Sequence, residues 1–348
     1  MFPNRPQCTA LKRCMHEFYA ISIECGNLRH VLDRTRMIHL NTSQKFKIAT
    51  FAYRLVSGAR WVLGKSDQAV IRRNGITWAL DLHEGIDFSI FLLGRFELAT
   101  SRLFDSILGA GDIVLDIGAN VGAHTLPFAR LVGKNGRVYA FEPTQYAFEK
   151  LKRNINANPT ISSSIELVHA MLVPEGCNSI TPEIYSSWPL IKGHGLHKRH
   201  RGKLMSTSDA AAITLDAFVD RKGIDRIDFV KLDVDGNEAD VLAGAANTLR
   251  RFRPRVLMEW APYLFEGKSA VMGQMLSNFI NLGYAPKELS GRRQLPKTLE
   301  ALNGMVPKYG SMNVLFETSD LKPPIDDPSS HSVTGQLVTS LTMRGTFR

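Results

Sequence analysis

The sequence predicts an α/β protein, an open and mostly parallel sheet preceded by a basic N-terminal extension. Three observations lead there. Short apolar runs at 113–117, 137–142, 165–170, 227–233 and 255–259 alternate with helical patterns. A Gly-rich turn follows the first run directly, where a helix would start at the carboxyl end of a strand. Composition, 44% hydrophobic and 22% charged over 348 residues, supplies a core for one or two domains. It excludes chain-wide disorder and collagen, and four cysteines are too few for a disulfide framework, which favours a reducing compartment. No apolar run is long enough to span a bilayer, and Glu17 and Glu24 interrupt any secretory signal pattern, so a cytoplasmic protein is expected.

Charge is concentrated at one end. The net charge is +10; residues 1–75 hold 13 Lys/Arg against Glu17, Glu24, Asp33 and Asp67, which is +9 and leaves +1 for the rest. A uniformly basic nucleic-acid-binding surface is therefore not expected. Residues 1–69 read as a partly helical extension, 70–317 as the main domain and 318–348, rich in Ser, Thr and Pro, as a disordered tail. From Lys45 to Gly64, apolar residues recur at helical spacing among Lys47, Arg54 and Arg60. Such a helix docks on its own domain or lies on an anionic membrane surface with Phe46, Phe51 and Trp61 inserted.

Residues 70–100 read as short strands and turns, with alternation over Ile76–Leu82. Ile113–Ile117 is a continuous apolar run typical of a strand buried on both faces. A helix over 123–131, a strand over 137–142 and a helix ending before Pro159 follow. Later strands are expected at 165–170, 227–233 and 255–259, with a helix over 238–249 and a late edge or inserted strand at 311–316. Residues 172–212 read as a long loop, functional or disordered, with His194, His197, Lys198, Arg199, His200, Arg201 and Lys203 packed together. That cluster either recognises an acidic group or is a solvated face. Cys8, Cys14, Cys25, His16 and His30 contain no Cys-x-x-Cys pair, so no metal site is expected there.

The chemistry starts at Asp116-Ile117-Gly118-Ala119-Asn120-Val121-Gly122. Small residues at a strand-to-helix turn let a ligand approach the backbone. The spacing lacks the Gly-x-Gly-x-x-Gly that cradles a pyrophosphate, which disfavours a nicotinamide oxidoreductase, and Asp116 repels an anion. Glu142 ends the second strand 24 residues after Gly118, where an acid accepts the hydroxyls of a ribose. An acid at each of the first two strand ends beside a Gly turn is the arrangement expected for S-adenosyl-L-methionine.

Asp116–Thr125, Phe141-Glu142-Pro143, Ile213-Thr214-Leu215-Asp216, Asp228–Glu238 and Leu93–Glu97 together resemble the FkbM family of methyltransferases over about residues 70–317. The resemblance implies a seven-stranded Rossmann-like class I methyltransferase fold, S-adenosylmethionine as donor and O-methylation of a saccharide, glycoconjugate or related hydroxyl. It implies that Asp116, Gly118, Asn120 and Gly122 hold the methionine end of the donor and Glu142 the ribose. Ala119, Thr125 and Pro143 complete the expected donor-binding set, and Glu97 either reaches the donor's amino group or serves packing or a salt bridge. Asp235 stands where the family usually has Glu, one methylene longer.

Methyl transfer is positioning catalysis, and a hydroxyl nucleophile also needs its proton removed. Candidate bases at strand ends are Asp233 first, then His124, Asp235, Glu238 and Glu259. Asp233, Asp235 and Glu259 could instead gather a hard cation, while Asp235 and Asn237 could simply cap the helix after them. No metal is expected. A non-catalytic protein that keeps the donor pocket or works at a membrane surface is the alternative.

Overall fold

Helix α1 (Thr42–Val62) opens the described chain. Its inner face carries Phe46, Ala49, Tyr53 and Val56 into the apolar core that holds Trp78 and Phe88, so this helix docks on the domain that follows. The structure, a computed structural model, describes residues 42–191, 195–197 and 202–319, all within one unit that begins at Thr42. The expectations for Cys8, Cys14, Cys25, His16 and His30, for most of the basic cluster and for the tail after 319 lie outside the described residues.

Strands β1 (Gln68–Arg73) and β2 (Ile76–Asp81) pair antiparallel across an Asn74-Gly75 turn in which both residues have positive φ, the geometry that suits a two-residue hairpin. A helix then stands where strands and turns are expected, α2 (Gly85–Leu93), followed by α3 (Leu98–Ile107), which begins at the end of that stretch. The sequence of α2 is apolar nearly all round, which blurs its periodicity; its one charged residue, Asp87, is buried 2.8 Å from Lys150 Nζ.

The expected alternation follows: β3 (Ile113–Ile117), α4 (Thr125–Val132), β4 (Arg137–Phe141), α5 (Gln145–Asn156), a single turn α6 (Pro159–Ser162) and β5 (Ile165–Val168). The strand expected to reach residue 170 breaks at His169, and β6 (Ala170–Leu172) leaves the main sheet. Within the expected long loop lies an antiparallel hairpin, β7 (Glu183–Ser187) with β8 (Lys203–Ser206); β9 (Ala211–Ile213) then pairs with β6. Helix α7 (Leu215–Lys222) is capped by Thr214, whose Oγ1 accepts from Ala217 N at 3.0 Å. After β10 (Phe229–Leu232), the single helix expected over 238–249 is two, α8 (Glu238–Ala243) and α9 (Ala246–Phe252), parted at Gly244-Ala245. The described residues end with β11 (Arg255–Trp260), α10 (Ser269–Asn281), β12 (Tyr284–Lys287), α11 (Leu299–Gly304) and β13 (Met312–Thr318).

Seven strands form the main sheet in the order β12-β13-β11-β10-β3-β4-β5. The five from β11 to β5 are parallel, and β13 is inserted antiparallel between β11 and β12. Apolar cores cover both faces: Phe104, Phe128 and Phe229 belong to one, Phe141, Phe218 and Trp260 to the other. Burial on both faces is why the central strands read as unbroken apolar runs.

Candidate functional site

Register alone assembles the site. Ile117 of β3 lies opposite Phe141 of β4 and Leu232 of β10, and Leu232 lies opposite Met258 of β11. The next residues, Glu142, Gly118, Asp233 and Glu259, therefore form one row along the carboxyl edge of the sheet. All four line a single cavity of about 620 Å³ that runs from the turn after β3 to Tyr263.

The β3–α4 turn forms one end. Gly118 has φ +81°, and a Cβ there would overlap the carbonyl oxygen of Asp233, so the turn is packed directly on the neighbouring strand end. One amide of the turn reaches Glu142, whose Oε2 accepts from Asn120 N at 2.9 Å and whose Oε1 accepts from Thr144 N at 2.9 Å and from Thr144 Oγ1. Burial raises the Glu142 carboxyl above its ordinary range, and these donors work against that. The hairpin closes over this end: Asn120 Nδ2 donates to Ser186 O at 3.1 Å, and Ser186 Oγ lies 2.9 Å from Thr144 Oγ1. Glu84 ties the hairpin to the body by accepting from Trp188 N and Ser187 Oγ at 2.9 and 2.8 Å.

Carboxylates form the other end. Asp233, Asp235 and Glu259 each offer an oxygen within 4.8 Å of the others, a spacing that a hard cation also accepts. Burial, then the neighbouring charges of Asp233 and Glu238, holds Asp235 well above the usual carboxylate range; burial, Asp233 and Asp235 do the same for Glu259. Lys231 stands between the two ends. Its ammonium is 3.3 Å from Asp233 Oδ2 and 3.7 Å from Asp116 Oδ1, and it donates to Gly118 O at 2.9 Å. Burial pulls its pKa down, but Asp233 and Asp116 outweigh burial and keep it charged.

Three residues other than glycine that line this cavity have positive φ: Glu97 at 48°, Asn120 at 49° and Asp235 at 52°. Such backbone persists only where the surroundings enforce it, and here all three aim polar groups at one cavity. Glu97 Oε2 is held by Thr100 Oγ1 and Asn313 Nδ2, both at 3.0 Å.

Of the expected donor-binding residues, Glu97, Gly118, Ala119, Asn120, Glu142 and Pro143 line the cavity. Asp116, Gly122 and Thr125 lie beneath its floor: Asp116 is fully buried and accepts from Thr125 Oγ1 at 2.6 Å. Their place is structural support for the turn and for Lys231. Both expected catalytic residues, Asp233 and His124, reach the cavity wall. His124, however, is packed among Phe96, Phe104 and Phe128, and burial pushes its pKa down to about 3, so the ring stays neutral and is a poor proton acceptor. Glu238 is not a base at the cavity either, for it accepts from Val234 N and Gly236 N and clamps the loop before α8. Asp235 has no capping role, and Asn237 Nδ2 bonds Val234 O. Sequence reasoning missed Lys231 as a site residue, because a lysine inside an apolar strand reads only as an interruption; it also missed Ser186 and Trp188, which reach the cavity from a segment distant in sequence.

Residues 116–286 match the family model described as Methyltransferase FkbM domain. The chain is 29% identical over 156 residues to the hexuronic acid methyltransferase AglP of Haloferax volcanii, covering 45% of this chain and 59% of that protein. It therefore spans little more than half the length of that relative. It is 26% identical over 193 residues to the methyltransferase sdnD of Sordaria araneosa, covering 48% and 73%. A crystal structure of an FkbM methyltransferase from Methylobacillus flagellatus aligns at 16% identity and a TM-score of 0.35, covering 60% of this chain and 43% of that one.

Proposed function

We propose, from the match of residues 116–286 to the methyltransferase FkbM domain, that the chain is an S-adenosylmethionine-dependent O-methyltransferase acting on a hydroxyl of a saccharide or glycoconjugate. The observation that carries this reading is the single cavity with two unlike ends, a Gly118–Glu142 cradle and a Asp233–Asp235–Glu259 carboxylate cluster. The name of the Haloferax relative, a hexuronic acid methyltransferase, supports a sugar as acceptor.

The residues fit the donor. A Cβ at Gly118 would strike the Asp233 carbonyl, so only glycine keeps this turn against the strand end at the cavity wall, and Glu142 Oε2, which accepts from Asn120 N, has a second lone pair for a ribose hydroxyl. Glu97 and the carboxylate row suit a cationic end, with Ala119, Asn120 and Pro143 along the wall. When bound, the donor supplies an electrophilic methyl group and its own leaving group. The protein holds the acceptor oxygen in line and takes its proton. We assign that proton to the carboxylate cluster in place of His124. Crowded, buried carboxylates bind a proton more tightly than isolated ones, which makes Asp235 and Glu259 stronger bases than exposed acids. Lys231 balances the charge of Asp233 and orients the Gly118 carbonyl.

Calorimetric titration with S-adenosylmethionine, paired with label transfer to uronate-containing saccharides, tests the reading. Glu142→Ala is expected to weaken donor binding by roughly tenfold or more, from loss of a charged hydrogen-bond acceptor. Asp233→Asn is expected to lower kcat by ~100-fold while leaving the donor Kd within a few-fold. Equal loss of donor affinity in both variants would overturn the division of roles. The base must be unprotonated, so activity falls as pH is lowered, and the raised values of Asp235 and Glu259 put that fall above the ordinary carboxylate range. Glu259→Gln removes a like charge and should move it to lower pH. Activity should survive EDTA; loss with EDTA and recovery with Mg²⁺ would give the cluster to a cation instead.

A further inference from the structure

The outward face of α1 has a regular composition that its fold does not use. Two rows run along it one residue apart, each stepping by seven: Lys47, Arg54 and Trp61 in one, Ile48, Leu55 and Val62 in the other. Phe51 stands between them. All seven are exposed, Phe51 at 65% and Trp61 at 79%. This is not loose packing, since Tyr53 on the opposite face is in the core and Phe46 and Ala49 wall the cavity. Phe46, expected among the outward residues, is thus turned inward.

The charge pattern completes the picture. From residue 42 to residue 66 there are five Lys/Arg and no acid. Arg60, on the inner flank, donates to the carbonyls of Ser66 and Gln68 and lies over the Phe91 ring; from residue 46 onward Lys47 and Arg54 are the outward cations of the helix. No helix among the described residues is long and apolar enough to cross a membrane. A helix lying in the plane of a bilayer needs this face: an apolar row to enter the acyl boundary, and cations and Trp beside it at headgroup level.

We propose that α1 seats the protein on an anionic lipid bilayer, with Ile48, Phe51, Leu55 and Val62 inserted and Lys47 and Arg54 on lipid phosphates. An acidic protein patch would pair the cations but leave the apolar row in water. An apolar protein surface would cover that row and bury the cations unpaired. An anionic bilayer accommodates both rows at once. The docked helix would leave the cavity one helix diameter, ~10 Å, from the headgroups, because its inner face is the cavity wall.

Flotation of the full chain with vesicles of phosphatidylcholine plus phosphatidylglycerol tests this, with vesicles of phosphatidylcholine alone as reference. The chain should float with the anionic vesicles and less as salt rises. Phe51→Asp with Leu55→Asp should lower partitioning by ~10-fold or more, and Lys47→Glu with Arg54→Glu should erase the preference for anionic lipid. Both pairs are exposed, so thermal unfolding should match the parent. Failure to float overturns the proposal. So does undiminished flotation of both variants, which would transfer lipid binding to the basic residues of 1–41. A dimer lost in Phe51→Asp/Leu55→Asp, without lipid binding by the parent, would give the face to a second copy of the chain.

Discussion

Lys231 sits fully inside the protein and joins three parts of the site, the Asp116 carboxylate, the Asp233 carboxylate and the Gly118 carbonyl. Removing one partner of a buried charge group leaves the others uncompensated, so Lys231→Met is expected to lower stability by about 3 kcal/mol in urea unfolding. Adding Asp116→Asn should recover part of that loss, and strict additivity of the two changes would refute the coupling. His124 gives a second residue-scale prediction. Its folded pKa, about 3, lies below the unfolded value near 6.5, so its contribution is whole above pH 6.5 and is lost as pH falls toward 3. Between pH 6.5 and pH 5 this amounts to about 2 kcal/mol. His124→Phe, which keeps a ring among Phe96, Phe104 and Phe128, should flatten that part of the stability profile.

At the scale of elements, the hairpin β7–β8 and the β3–α4 turn depend on one another. Asn120 reaches Ser186, Ser186 meets Thr144, and Glu84 anchors the strand through Ser187 and Trp188. Glu84→Ala should therefore raise amide exchange across 183–206 and weaken donor binding by less than about tenfold, since each lost bond is worth ~1 kcal/mol. A weakened donor site with unchanged exchange would separate the two elements. The turn itself was legible in the sequence, because a Gly between an apolar run and a helical pattern leaves few local conformations. Helix α2 was not legible: Ile86, Phe88, Ile90 and Phe91 point to more than one side and carry no stripe. The hairpin was equally hidden, because Ser186 and Trp188 acquire meaning only from neighbours more than forty residues away in the chain.

Across the whole molecule, the parallel strands place four chain-distant residues, Glu142, Gly118, Asp233 and Glu259, in one row, and the basic end of the chain contributes a helix whose inner face closes the same cavity. The sequence by itself determined the α/β class, the strands from β3 to β5, β10 and β11, the Gly turn and the acid at the end of β4. Those features are local, written in runs of apolar residues and in the small residues a tight turn requires. Only the tertiary structure decided which acids face the cavity and which lie below it. A strand alternates its side chains by position but does not reveal what packs on either face. Thus Asp116 goes under the floor to Thr125 and Lys231, His124 is sealed among aromatic rings, and Asp233, Asp235 and Glu259 meet because the strand ends and the loop at positive φ converge there.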